Sequence, residues 1–102
     1  MLNHVVLIGK VYSMPIEKKN KKGSREISFV LQIERPFTES DGSYQFDYVK
    51  VCPWKGIAEQ MKELCTVGSM VAVKGRFHCS GVDAKDVVVI AEHISFISVN
   101  KK

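Results

Sequence analysis

The stretch YQFDYVKVCPWKGIAEQMKELC, residues 44–65, changes its hydrophobic period partway along, and that change decides the fold. Through residue 52 it alternates as a strand does, with Val49 and Val51 on one parity and Tyr48, Lys50, Cys52 and Trp54 on the other. A core takes the valines and leaves an aromatic and basic row on the opposite face. From Ile57 to Cys65 the repeat is helical: Ile57, Met61 and Leu64 lie on one side, and Glu59, Lys62 and Glu63 on the other. One short amphipathic helix is expected here, stopped near Gly68 by a residue that tolerates the left-handed region.

Strand signals lie on both sides of this stretch. Val5, Val6, Leu7, Ile8, Gly9 and Val11 form an apolar, mostly β-branched run, in which Gly9 permits a bend. Residues 14–24, with Pro15, Gly23 and four lysines, read as a loop. Ile27, Phe29, Leu31 and Ile33 then alternate with Glu26, Ser28, Gln32 and Glu34, the clearest period-two pattern in the chain. Pro36 is expected to end that strand, and residues 39–43 make a turn. Beyond the helix, Val71, Val73, Gly75, Phe77 and Cys79 share one strand parity, with Lys74, Arg76 and His78 on the other. Ser80 to Asp83 turn the chain into a last strand, residues 87–97. Three strands, a helix and two strands is the element order of an all-β OB-fold, a five-stranded barrel with its helix between strands 3 and 4 and an outer face that commonly binds oligonucleotides, although other small barrels and sandwiches share that order.

At 102 residues the chain has room for one domain, 1–102, with one core. A 45% hydrophobic and 25% charged composition excludes a disordered chain. Neither a secretory leader nor a membrane-spanning run is visible, and Cys52, Cys65 and Cys79 are odd in number and widely spaced, so a cytoplasmic protein with reduced thiols is expected. The net charge of +4 comes from the first 35 residues, where seven basic residues face three acidic ones. No cofactor is expected. His78, Cys79, Cys52 and His93 lack the closely spaced ligand pairs of structural zinc, and no nucleophile, zinc-protease or phosphate-loop motif points to catalysis.

Several segments together resemble the bacterial single-stranded DNA-binding protein family over essentially the whole chain. They are Met1 to Lys10, Arg35-Pro36-Phe37, Asp47-Tyr48-Val49-Lys50 with Trp54-Lys55, and Gly68-Ser69 with Gly75-Arg76. The resemblance implies an OB-fold assembled as a homotetramer, or sometimes a dimer, that binds single-stranded DNA without strong sequence preference. It puts Tyr48, Trp54 and Phe37 at base-stacking positions, and Lys50, Arg35, Lys10 and Arg76 at or near polar or basic positions close to DNA. Lys74 shares the outward parity of Arg76. The chain departs from the family in a shorter hairpin between strands 4 and 5, in Met14 before Pro15, and in ending at Asn100-Lys101-Lys102 without an acidic tail. Tail-mediated recruitment of partner enzymes is therefore not expected.

Single-stranded nucleic acid requires cations near its phosphates and flat apolar faces for its unpaired bases. Tyr48, Lys50 and Trp54 supply both on one strand face, because Val49 and Val51 already claim the inward parity. Lys18, Lys19, Lys21, Lys22 and Arg25 read equally as a solvated hairpin or as phosphate contacts beside the binding face, and they lie on no apolar helix that would suit a membrane. Val5 to Ile8 are apolar on both faces, so a second surface is expected to bury Val6 and Ile8 in a tetramer, with a dimer as the second choice. Two other readings remain open: a dimeric primosomal replication adaptor of the same fold, and an OB-type protein-interaction module in which Tyr48 and Trp54 anchor a partner chain.

Overall fold

The computed structural model describes residues 1–19 and 23–100. Its elements run β1 (Val5–Lys19), β2 (Arg25–Thr38), β3 (Tyr44–Pro53), α1 (Lys55–Leu64), β4 (Met70–His78) and β5 (Val88–Ser98). The strands form a closed barrel in the order β1-β2-β3-β5-β4. Closure depends on the length of β1, which serves two neighbours. Val5–Lys10 pair with β4, and Lys10–Lys19 pair with β2. A parallel pairing of β3 with β5, Val51↔Val89 to Pro53↔Ala91, completes the ring.

The alternating residues fill the barrel as expected. Val11, Phe29, Leu31, Val51, Val71, Val73 and Val89 are fully buried, and Met61 of α1 joins them from one end. The one buried polar side chain among the described residues is Ser69. Its hydroxyl accepts the Asn100 N–H at 2.9 Å, while its carbonyl accepts the Val11 N–H at 2.9 Å, which ties the start of β4 to β1 and to the chain beyond β5. Gly75 sits at a register shift between β4 and β5, where a Cβ would lie 1.8 Å from the Ile90 carbonyl oxygen. No side chain fits there.

Both proline-based boundaries are corrected. Residues 14–19 continue β1, with Ile16↔Ser28 through Lys19↔Arg25 in register, and Pro15 is buried at the shift between Ser13 and Ile16. Pro36 likewise lies inside β2, at the irregularity between Glu34 and Thr38. A bulge removes the demand for a ladder N–H, so proline is tolerated at both places.

Four further expectations also shift. The helix begins two residues earlier than its pattern, and Cys65 is already extended. Gly68, with φ +92°, turns the chain toward β4 and does not cap α1. Leu64 is half exposed, because the buried side of α1 is carried by Ala58 and Met61. Phe77 and Cys79 share the parity of Val71 and Val73 but are exposed, Phe77 opposite Val89 near the end of β4 and Cys79 beyond that strand. There the backbone of Phe77 is held by the Asn3 side chain, which donates to its carbonyl at 2.8 Å and accepts its N–H at 2.9 Å.

Candidate nucleic-acid interface

Strand alternation and register together build one continuous outer surface on β1, β2 and β3. Lys10 pairs with Gln32, and Gln32 pairs with Tyr48, so these three side chains form a row across the strands. The Gln32 amide donates to the Tyr48 hydroxyl at 3.2 Å. Tyr12 meets Tyr48 edge to face, with ring centroids 5.1 Å apart and planes at 73°. Geometry of this kind holds both rings in place and is favourable by about 0.5–1.5 kcal/mol beyond area burial. The sequence alone does not single out Tyr12. Its one signal is the outward parity shared with Lys10, visible only if β1 is taken past Val11.

Lys50 follows Tyr48 on the same parity, opposite Val30. Its ammonium is paired with Glu26, whose hydrogen bond raises the Lys50 pKa above the ordinary lysine value and keeps it charged. Trp54 ends the row. Its N–H donates to the Ala91 carbonyl at 3.4 Å, and its own carbonyl accepts the Ile57 and Ala58 N–H groups, so the junction of β3 and α1 fixes its backbone. The indole is 56% exposed and Tyr48 is 55% exposed, which places neither ring in the core. Five residues, 49–53, lie between them, and six steps of 3.3–3.4 Å span about 20 Å, so they are two contact points with Lys50 between.

At the other end of β3, Arg35 grips Asp47 through Nε at 3.1 Å and Nη2 at 2.9 Å, both to Oδ1, which raises the guanidinium pKa further. Phe37 is exposed beyond the β2 irregularity. Lys10 forms no ion pair among the described residues, which leaves its charge available. An open cleft of about 820 Å³ continues the surface beyond Lys50, between the end of β1 (Lys18, Lys19), the end of β4 (His78) and the β4–β5 loop (Gly81, Asp83). Arg25 stands at the start of β2, paired with Glu17 at 3.3 Å. Lys21 and Lys22 lie outside the described residues.

Arg76 lies one strand from the β3 row, through the pairs Arg76↔Ile90 and Ile90↔Cys52, whereas Lys74 stands farther along β4. They project from β4, which pairs with β1 and β5 but not with β2 or β3. Lys74 stands opposite Val6 and His93, and Arg76 faces Glu92 at 3.8 Å. They share that wall with Val6 and Ile8, which are 53% and 55% exposed. Among the described residues no cluster of His, Cys, Asp and Glu is placed to hold a metal ion, and no helix is long and apolar enough to cross a membrane.

Residues 2–97 match the model of the Single-strand binding protein family. A single-stranded DNA-binding protein of Oceanobacillus iheyensis is 31% identical over 103 residues, covering 95% of this chain and 64% of its own length. Single-stranded DNA-binding protein 2 of Staphylococcus aureus strain COL is 29% identical, covering 95% and 74%. The chain thus spans just under two thirds of the first of these relatives. Among solved structures, a Plasmodium falciparum SSB in complex with ssDNA superposes with a TM-score of 0.69 at 18% identity, covering 96% of this chain and 97% of that one. That likeness is one of fold.

Proposed function

Because this chain belongs to the single-strand binding protein family, we propose that it is a non-enzymatic protein that coats single-stranded DNA with little sequence preference, in replication, recombination or repair. The carrying observation is that Tyr48, on the outward row of β3, and Trp54, just past the end of that strand, are more than half exposed on either side of Lys50. Bases stack on the rings, while Lys10 and Lys50 meet phosphate. Stacking is tolerant of sequence because every base has a flat face. The cleft beside Lys18 and Lys19 gives the strand a way off the barrel.

Trp54 is the only tryptophan, so its fluorescence reports occupancy directly. Poly-dT is expected to quench it, and Trp54→Ala or Tyr48→Ala each to weaken binding by about 1–3 kcal/mol. A protein-interaction module would bind oligonucleotides weakly and without a steep dependence on salt. Val6 and Ile8, exposed on the part of β1 that pairs with β4, support self-association through the outer face of those two strands, as a tetramer or else a dimer.

A further inference from the structure

Aromatic side chains on β3 extend past the two positions considered so far. Tyr44, Phe46 and Tyr48 are successive outward residues of that strand, and Trp54 follows on the same parity. Tyr44 is 60% exposed and Phe46 37%. Their cross-strand neighbours are polar: Thr38 beside Tyr44, Glu34 beside Phe46, Gln32 beside Tyr48. Phe46 also borders a shallow hollow of about 370 Å³ shared with Lys10 and Gln32, so a ring and a lysine meet at one depression.

Alternate residues of a strand stand about 6.6–6.8 Å apart. That interval is about twice the 3.4 Å rise per nucleotide of a stacked strand, so one base fits between successive rings. The only ring pair among the described residues is Tyr12 with Tyr48, which leaves Tyr44 and Phe46 without an aromatic partner of their own.

We propose that Tyr44 and Phe46 are two further base-stacking residues, which carry the site from Tyr48 to the β2–β3 hairpin, so that an extended single strand of DNA follows the length of β3. The proposal rests on the reading of the chain as a single-stranded DNA binder. The ten residues of β3 rise about 33 Å, enough for about five nucleotides in extended form.

The test titrates oligo-dT of increasing length against the full chain and its variants, following Trp54 fluorescence, with light scattering for assembly mass and thermal melts for folding. Phe46→Ala, Phe46→Leu and Tyr44→Ala are each expected to weaken binding at least about five-fold while melting near wild type, and Phe46→Tyr to retain it. The double variant Tyr44→Ala/Phe46→Ala should reach its limiting affinity on oligonucleotides about two nucleotides shorter. Wild type that fails to bind oligo-dT removes the underlying reading, and this proposal with it. Wild type that binds, with Tyr48→Ala weakened but the Tyr44 and Phe46 variants unchanged, overturns this proposal alone. A changed assembly mass with unchanged affinity overturns it too, by giving those rings to a protein contact.

Discussion

Glu26 should act as a built-in competitor of DNA for Lys50, and removing it should strengthen binding. In the free protein the Lys50 ammonium is already paired with the Glu26 carboxylate, so a phosphate must displace that partner. The two side chains keep 49% and 29% of their surface in solvent, which places the pair in the range of about 0.2–1 kcal/mol. Glu26→Gln is therefore expected to tighten poly-dT binding by no more than about five-fold. Lys50→Met on that background should cancel the gain and flatten the plot of log affinity against log salt by about 0.7, the share of one phosphate contact with a single strand. Lys50→Met alone should bind more weakly than the double variant, because it leaves an uncompensated carboxylate facing DNA. The assay is Trp54 fluorescence titration across a potassium chloride series. Two results would refute the assignment of Lys50 to phosphate: Glu26→Gln binding no tighter than wild type at any salt concentration, or a salt slope that Lys50→Met leaves unchanged in the Glu26→Gln background.

Other outcomes follow from the barrel itself. Gly75→Ala should cost more than about 4 kcal/mol in urea unfolding, since its Cβ would collide with the Ile90 backbone, whereas Gly56→Ala, in the open first turn of α1, should be neutral or stabilising by up to about 1 kcal/mol. Alkylation at pH 8 should modify exposed Cys79 first, Cys52 more slowly because burial raises its thiol pKa, and buried Cys65 only on unfolding. Both Cys52 and Lys50 have folded pKa values raised above their ordinary 9.0 and 10.5, so each contributes stability in full below that value and loses it above. Thermal melts should therefore decline from about pH 9 upward, less steeply in Cys52→Ala. Val6→Glu with Ile8→Glu should lower the assembly mass in light scattering without changing the fold by circular dichroism.

What the sequence determined by itself was the alternation within each segment, because the strand period is set by backbone geometry over a few residues. Val49 and Val51 had to face the core, so Tyr48, Lys50 and Trp54 had to face away, and the structure places them so. A helix was legible for the same reason, read over 57–65 where the structure has 55–64, as was the order of the elements. Everything that depends on which strand lies beside which was left to the tertiary structure. Pro15 and Pro36 mark strand ends in the sequence because a missing N–H is incompatible with a regular ladder, yet bulges created by the barrel's curvature remove that demand. Glu26 reaches Lys50, and Tyr12 reaches Tyr48, only through the registers of β2 with its two neighbours. Lys74 and Arg76 carry the right charge on one parity, but only barrel closure sets their distance from the β3 row: Arg76 is one strand away, through Ile90 and Cys52, and Lys74 stands between Val6 and His93. Parity is a local property of the chain, whereas the neighbour across a strand is set by register and closure, which involve residues far apart in sequence.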